Sequence, residues 1–284
     1  IQAGIYQSAV VCHKTTMSET MTVFNRRTVA RHRDRAAATL SDHDFLFREV
    51  AERLCDRLQD VTRDFPTALD LGCHDGILGR IIGERGGIKT LFQCDLSPVM
   101  ATRAANMAVA GDEEFLPFAE ESFDLVISNL SLHWINDLPG ALAQARRTLK
   151  PGGLFLGAML GGETLAELRQ SLMHAESTVE GGLSPRISPF ADVRDAGDLL
   201  ARAGFQDPVA DTEIITVSYA DPLTLMDDLR RMGESNAVIE ARKGFTRRAT
   251  LMEAASHYME TFADADARIP ASFQIIYLTA WREP

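Results

Sequence analysis

The sequence has little of what would hold together a small secreted domain or a metal site. Among its 284 residues only four are cysteines, Cys12, Cys55, Cys73 and Cys94, and no two of them form a C-x-x-C pair. This spacing excludes a disulfide framework and shows no metal-ligand pattern. Free thiols are typical of a reducing compartment, so we expect a cytoplasmic protein without a bound metal.

Long apolar runs and an excess of positive charge are also missing. No stretch approaches the roughly 20 apolar residues of a membrane-spanning helix, so no integral membrane segment is expected. Lys and Arg number 29 against 40 Asp and Glu, which gives a net charge of −11. A nucleic-acid-binding protein needs a basic face for phosphates, so nucleic acid is not expected as a partner. The oligomeric state stays open.

The beginning of the chain shows no sign of a folded element. Residues 1–16 lack periodicity, start without methionine and precede Met17 and Met21. They also have too few basic residues for a targeting peptide. We expect residues 1–20 to be disordered or an extension. Residues 21–282 are expected to form a single domain, since an apolar content of 45% allows a full core.

A strand-to-helix turn follows the first predicted strand. Residues 67–71 are short and mostly apolar, residues 77–84 have helical spacing, and Gly72 and Gly76 lie between them. Glycines at the carboxyl end of a first strand let a ligand approach the backbone and aim the next helix at it. Asp95 closes the next strand-like run, 89–94, where a carboxylate suits two ribose hydroxyls. The pattern predicts an adenosine-containing cofactor.

The register of the glycines decides between cofactors. A nicotinamide site requires G-x-G-x-x-G, but residues 74–79 are HDGILG and lack the first glycine. As D-x-G-x-x-x-G, residues 70–76 resemble the first motif of class I S-adenosylmethionine-dependent methyltransferases. A dehydrogenase remains the alternative.

Further segments carry the resemblance in the right order: DEEFLPF at 112–118, FDLVISN at 123–129 and LKPGG at 149–153. It implies an α/β, Rossmann-like, mostly parallel seven-stranded sheet with N-terminal helices and a helical cap insert, and S-adenosyl-L-methionine as cofactor. Asp95 would hold the ribose and Asp112 the adenine amino group. The cofactor site that the resemblance implies contains Asp70, Gly72, Cys73, His74, Gly76, Asp95, Leu96, Asp112, Glu113 and Asn129.

One position departs from the family pattern. The family usually has glycine where this chain has His74, and glycine there permits a positive φ and leaves room for the cofactor. His74 must either turn its ring away or touch the ligand. The alternative is a tolerated substitution without chemistry.

The resemblance extends beyond the cofactor half. LSLHWINDLP at 130–139 is similar to the biotin-pathway methyltransferases that esterify malonyl-acyl-carrier-protein. It is more similar to the complex I assembly factor 5 family and its bacterial relatives, which GGETL (161–165), ISPF (187–190), MGESNA (232–237) and PASFQIIY (270–277) also fit.

That second family implies a protein substrate, an iron–sulfur subunit of respiratory complex I, modified on an arginine. The sequence does not separate methylation from hydroxylation. Malonyl-carrier methylation and a non-catalytic assembly chaperone that holds the cofactor remain alternatives.

Catalytic groups are less visible, because methyl transfer mainly requires positioning and exclusion of water. His133 follows the fourth predicted strand, at the sheet edge where ligands bind. It would orient the substrate or act as a base; otherwise it is a loop histidine bound to backbone. Glu234 and Asn236 lie in a polar run between helical stretches, where we expect substrate contact.

Two surfaces are predicted from helical stretches. Residues 221–264 should form a mobile cap over the pocket, with Asp227, Asp228 and Glu234 giving its mouth a negative field. Arg27, Arg31 and Arg35 recur every four residues and so share one helix face. That face is either simply solvated or a docking surface for an acidic partner.

Overall fold

The computed structural model describes residues 22–105, 107–242 and 244–284. The predictions for residues 1–20, and Cys12 among the cysteines, lie outside this range. Among the described residues, no helix is both long and apolar enough to cross a membrane. The same part of the chain shows no group of His, Cys, Asp and Glu side chains that could hold a metal ion.

A seven-stranded sheet forms the centre of the fold, in the order β3-β2-β1-β4-β5-β7-β6. Neighbouring strands are parallel except β7, which runs antiparallel to both β5 and β6. The strands are β1 (Thr67–Leu71), β2 (Thr90–Asp95), β3 (Met107–Ala110), β4 (Phe123–Asn129), β5 (Leu149–Leu160), β6 (Gln206–Tyr219) and β7 (Ile269–Trp281). The predicted α/β, mostly parallel seven-stranded fold is confirmed.

Helices cover both faces of this sheet. They are α1 (Arg26–Ala36), α2 (Phe45–Gln59), α3 (Ile77–Ile82), α4 (Pro98–Arg103), α5 (Leu138–Thr148), α6 (Ala166–Val179), α7 (Val193–Arg202), α8 (Pro222–Met232) and α9 (Arg248–Phe262). Leu125 and Ile127 of β4 pack on the cluster that contains α2, α3, α6 and α9, while Val126 packs on the cluster with α5 and α7. Alternate strand residues thus supply two apolar cores, as a sheet buried on both faces requires.

Several element boundaries have local causes. The LKPGG segment, which contains a proline and two glycines, begins β5. The pairing jumps from Phe123↔Leu149 to Leu125↔Leu154, so residues 150–153 bulge from the ladder. α7 begins at Val193, because the Asp192 side chain accepts a hydrogen bond from the Arg194 N–H and caps the helix there. The helical stretch 221–264 is two helices, α8 and α9.

Asp70 is an ionisable side chain buried within β1. Gln93 Nε2 donates a hydrogen bond to its Oδ2 at 3.0 Å. Its Oδ1 has no hydrogen-bond partner among the described residues. Burial, assisted by the charges of Asp95 and Asp75 and opposed by the Gln93 hydrogen bond, raises the pKa of Asp70 to about 7.

We predict that Asp70→Asn removes a pH dependence of stability. Between the ordinary carboxyl pKa and about 7, the folded state keeps a proton that the unfolded chain releases. The free energy of unfolding of the wild type should therefore fall by about 2 kcal/mol between pH 5 and pH 8. Urea unfolding at both pH values should show this fall in the wild type and in the exposed control Asp198→Asn. An equal fall in Asp70→Asn would contradict the prediction.

Two buried tyrosines differ in how their hydroxyls are satisfied. Tyr258 Oη donates to the Pro270 carbonyl at 2.8 Å. Tyr277 Oη has no hydrogen-bond partner in the described part of the chain, although the Arg57 guanidinium carbon lies 4.0 Å from the ring centroid. Burying an unpaired hydroxyl costs free energy, whereas a paired one contributes.

We therefore predict opposite effects of the same chemical change at these two positions. Tyr277→Phe should leave the free energy of unfolding unchanged or raise it by about 1 kcal/mol, because only an unpaired hydroxyl is lost. Tyr258→Phe should lower it by about 1 kcal/mol. Urea titrations at one pH measure both. Equal losses in the two variants would show that the Tyr277 hydroxyl has a partner.

Candidate functional site

The loop after β1 has the geometry that its glycines predicted. The N–H groups of Gly72 and Cys73 both donate to the Cys94 carbonyl, at 2.8 and 3.0 Å, which fixes the loop beside the end of β2. Gly72 and Gly76 have φ of +74° and +84°. These left-handed conformations favour glycine, and α3 begins directly after Gly76. The strand, turn and helix expected here are all present.

His74 lies in this loop with its ring turned into the protein. Its φ is +50°, and its ring packs on Phe47 at a centroid distance of 4.5 Å. Nε2 lies 3.2 Å from the Asn129 carbonyl and 3.3 Å from the Leu130 carbonyl. Burial lowers the pKa of His74, so the neutral ring donates from Nε2. The side chain supports the loop, and the backbone N–H donates to Asp95 Oδ2 at 2.9 Å.

Asp95 stands at the end of β2, as predicted for the ribose-binding carboxylate, but it already has partners. Ser97 N–H donates to Oδ1 at 2.7 Å, and Arg33 Nη1 of α1 lies 3.1 Å from Oδ2. Arg33 is only 1% exposed and also contacts Glu113 Oε1 at 3.2 Å and Ser131 Oγ at 2.8 Å. Burial alone would lower the pKa of Arg33, but Asp95 and Glu113 raise it, so the guanidinium stays charged.

The acidic segment 112–114 is held by a second arginine of α1. Arg26 Nη2 lies 2.7 Å from Asp112 Oδ1 and also contacts Glu113, while Arg26 Nε lies 3.8 Å from Glu114. Glu113 is fully buried, yet the charges of Arg26 and Arg33 outweigh that burial and lower its pKa to about 2. Asp112, the acid expected to meet the adenine amino group, is therefore paired with α1.

Three other residues expected at the cofactor site, Asn129, Leu96 and Cys73, make structural contacts in this structure. Asn129 Nδ2 donates to the Phe47 carbonyl at 2.9 Å and so anchors α2. Leu96 is half-buried against Phe24 and Trp134. Burial raises the pKa of the Cys73 thiol, which makes it an unreactive packing group. The predicted residues that the structure brings together around Arg33 are thus Asp95 and Glu113.

Sequence reasoning missed Arg26, Arg33 and Ser131. The sequence signal nearest to these residues is Gly72, which lies against Ser131. A Cβ added at Gly72 would lie 2.1 Å from both Cβ and Oγ of Ser131. The crevice thus contains the groups that an S-adenosylmethionine site uses: left-handed glycines, a carboxylate at the end of β2 and buried acids. The types of residue in the crevice fit the cofactor. Arg33, however, donates a hydrogen bond to Asp95 Oδ2, an oxygen that could otherwise accept one from a ribose hydroxyl.

Beside the crevice lies a cavity of about 620 Å³ between α1, α6, α8 and the loops around residues 185–190 and 241–246. α8 ends at Gly233, whose φ of +86° turns the chain, and Glu234 follows at the cavity wall. Glu234 Oε2 accepts hydrogen bonds from Trp134 Nε1 and His133 Nε2, each at 3.0 Å. The Glu234 side chain is 7% exposed.

The histidine of this cluster has a defined tautomer. The Leu160 N–H points at His133 Nδ1 at 3.4 Å, so Nδ1 accepts and the Nε2–H donates to Glu234. Burial would raise the pKa of Glu234, but the interactions with His133, His74 and Arg33 together outweigh it and lower that pKa. His133 and Glu234 are therefore brought together as a polar pair. Asn236 lines the same cavity, yet its amide is engaged by the Pro185 carbonyl and the Val238 N–H.

The prediction that Asp227 and Asp228 give the cavity mouth a negative field is wrong. Asp227 pairs with Arg231, and Asp228 contacts His43 and accepts a hydrogen bond from Tyr219 at 2.8 Å. The helical rotation of α8 points both aspartates away from the cavity. Among the described residues that line the cavity, Glu234 is the only carboxylate. The lining arginines are Arg35, Arg186, Arg230 and Arg242.

Comparison with known sequences gives the same assignment as the crevice. A family described as a methyltransferase domain matches residues 69–157. Arginine-hydroxylase NDUFAF5, mitochondrial, from Homo sapiens is 44% identical over 97% of this chain and 81% of its own length. Malonyl-[acyl-carrier protein] O-methyltransferase from Halorhodospira halophila is 36% identical over 90% of this chain and 88% of its own.

A solved structure shows the same fold at lower identity. Phosphoethanolamine N-methyltransferase 2 from Haemonchus contortus, in complex with S-adenosyl-L-methionine, has a TM-score of 0.54 and 17% identity, covering 87% of this chain and 57% of that one. The chain belongs to the S-adenosylmethionine-dependent methyltransferase family, in the group that contains the NDUFAF5 and malonyl-[acyl-carrier protein] O-methyltransferase proteins.

Proposed function

We propose that this chain is an S-adenosylmethionine-dependent enzyme that modifies an arginine side chain of a protein substrate. The substrate we favour is an iron–sulfur subunit of respiratory complex I, with a role in assembly of that complex. Relatives named arginine hydroxylases, at 44% identity, support the arginine. The cytoplasm is the proposed location, in keeping with the buried free thiols of Cys55, Cys73 and Cys94.

The single observation that carries the proposal is Glu234. Its Oε2 is fixed by Trp134 and His133, while no hydrogen bond of Oε1 is found among the described residues. The lowered pKa keeps the carboxylate ionised. An ionised, shielded carboxylate with one oxygen available at a cavity wall matches a guanidinium, which donates charge-assisted hydrogen bonds.

The cofactor would be held by the loop at Gly72 and Gly76 and by Asp95. When bound, S-adenosylmethionine supplies an activated methyl group. This chain's own residues bind and orient the substrate side chain and keep water from it. Trp134 and Phe190 line the cavity, and the short turn Leu132–Trp134 connects that cavity to Ser131 in the crevice. We assign Glu234 to binding, since a lowered pKa makes it a weak base.

The proposed cap consists of α8, α9 and the chain between them. Cavity-lining residues from this stretch include Met226, Leu229, Phe245 and Leu251. We propose that it closes over the substrate, because a cavity bounded by separate helices and loops can open by small movements of either.

A second candidate, methylation of a malonyl-type carboxylate, is favoured by a different observation. Arg35 and Arg230 line the cavity and have no carboxylate partner in the described part of the chain. Such cations attract a carboxylate, and relatives at 36% identity are named malonyl-[acyl-carrier protein] O-methyltransferases.

The mass of the candidate iron–sulfur subunit tests the proposal. The subunit purified from wild-type cells should be heavier by about 14 or about 16 mass units than that from cells without this gene, for methylation or hydroxylation respectively. Cells with Glu234→Gln should lack most of this modification, because the charge-assisted contact is lost. The purified variant should keep its cofactor affinity within about two-fold, since the two sites share no direct contact.

Glu52→Gln, the same change at an exposed position of α2, is the matched control and should preserve the modification. An unmodified subunit together with failed complex assembly would instead identify a non-catalytic chaperone. A mass gain on malonyl-carrier protein alone would favour the second candidate. Affinity for NAD without affinity for S-adenosylmethionine would overturn the cofactor assignment and favour a dehydrogenase.

We predict that Gly72→Ala weakens cofactor binding by at least about tenfold. The new Cβ would collide with Ser131, which is hydrogen-bonded to both Glu113 and Arg33. Gly181→Ala is the matched control, because Gly181 has φ of +69° with nothing within 4 Å of an added Cβ. It should lose only about 1 kcal/mol of stability from backbone strain. Calorimetric titration with S-adenosylhomocysteine measures both; unchanged affinity in Gly72→Ala would place the cofactor elsewhere.

A further inference from the structure

The outer face of α1 carries a row of arginines. Arg27, Arg31 and Arg35 are exposed, whereas Val29, Arg33 and Ala36 form the buried face of the same helix. Their spacing of four residues places them in one stripe along the helix. The helix thus uses some arginines for the crevice and presents others outward.

This stripe continues onto α8. α1 packs against α8, and Arg35 lines a surface groove together with Arg230 and Arg231 of α8. Burial, and then the charge of Arg230, lower the pKa of Arg35, as expected for two guanidinium groups that line one groove. We call the exposed residues Arg27, Arg31, Arg35, Arg230 and Arg231 the arginine face.

The arginine face carries uncompensated charge. Within the described residues, Arg27, Arg35 and Arg230 have no side-chain hydrogen bond or ion pair, and Arg31 only donates to Thr28 Oγ1 at 3.0 Å. Of the nearby carboxylates, Asp227 pairs with Arg231 and Asp34 accepts a hydrogen bond from Ser97. A positive face therefore stands on a chain whose net charge is −11.

The face is also continuous with the cavity. Arg35 and Arg230 belong to both, since they line the cavity as well as the groove. Both are exposed, whereas Trp134 and the Glu234 side chain are shielded. The arginines therefore lie at the cavity mouth, and Glu234 lies at its inner wall.

We propose that the arginine face is the docking surface for an acidic region of the protein substrate, whose target side chain then enters the cavity toward Glu234. The proposal rests on the proposed function in one respect, that the substrate is a protein. In this proposal the arginine face binds acidic residues of the partner, and the Glu234 carboxylate binds the side chain to be modified.

A protein fits this face better than a membrane or a nucleic acid. Extended polyanions interact with the charge of the whole molecule, which is negative, and so they are repelled at long range. A folded partner with a local acidic patch meets mainly the local positive field, because salt screens charges beyond about 10 Å. The adjoining cavity also requires a partner that can insert a side chain.

The test uses the full chain and a short fluorescent polyglutamate peptide, no longer than the arginine face, so that the peptide meets mainly the local positive field. Its anisotropy is read at low and at physiological salt. The wild type should bind this peptide and lose affinity as salt rises. The variant R27Q/R31Q/R35Q should bind polyglutamate about tenfold more weakly, as expected for three exposed ionic contacts.

The matched control is R147Q/R194Q/R202Q, which removes the same charge from exposed arginines of α5 and α7. These two helices pack on the core of the other sheet face, whereas α1 contributes Ala36 to the core that contains α2 and α9. The control should bind like the wild type, and circular dichroism should show all three proteins folded. Equal weakening in the control would mean that net charge alone decides, which overturns the proposal. Tighter binding of phosphatidylglycerol vesicles or of a single-stranded oligonucleotide than of polyglutamate would overturn it as well. None of these outcomes depends on turnover, so a failed proposed function remains distinguishable.

Discussion

The ion-pair network around Arg33 is the constraint on which the crevice depends. A guanidinium that is 1% exposed has lost its water and must be paired, and breaking such a pair is strongly destabilising. Here the partners are Asp95 at the end of β2, Glu113 after β3 and Ser131 after β4. One side chain of α1 therefore connects the carboxyl ends of three strands, β2, β3 and β4, at the same edge of the sheet.

This network sets what a cofactor would have to do to use Asp95 as its ribose-binding carboxylate, as proposed above. Asp95 Oδ2 already accepts hydrogen bonds from Arg33 and the His74 N–H, whereas Oδ1 accepts one from the Ser97 N–H. A ribose hydroxyl would therefore find an acceptor site at Oδ1 but gain Oδ2 only by replacing a partner. Among those partners, the backbone N–H groups are fixed by the loop, whereas Arg33 is a long side chain. Arg33 also retains Glu113 and Ser131 as partners when it leaves Asp95. The crevice can thus exchange one contact for another without leaving a buried charge unpaired.

Much of this arrangement is predictable from the sequence, and the exceptions have a common cause. β1 and β4 have the predicted bounds, because buried parallel strands are short apolar runs between clear breaks. Glu234 was found because a polar run interrupts apolar helical stretches. Arg33 was not found: it lies 62 residues before Asp95, and helical periodicity does not say which cations of an arginine-rich helix turn inward. For the same reason, the sequence did not show how α8 is rotated about its axis, and Asp227 and Asp228 were wrongly placed at the cavity mouth.

The inner and outer charges of the molecule follow one rule. Where water is excluded, each charge found here has opposite charges or strong donors beside it, as Arg33 has Asp95 and as Glu234 has His133 and Trp134. At the solvent-exposed surface, Arg27, Arg35 and Arg230 have no carboxylate partner among the described residues. Water solvates an exposed cation, so leaving it unpaired costs little free energy. Glu234 lies between these regimes, because its donors fix one oxygen and leave the other at the cavity wall. A carboxylate held in this way discriminates between ligands by charge before it contributes to any reaction, and a cationic side chain can satisfy it.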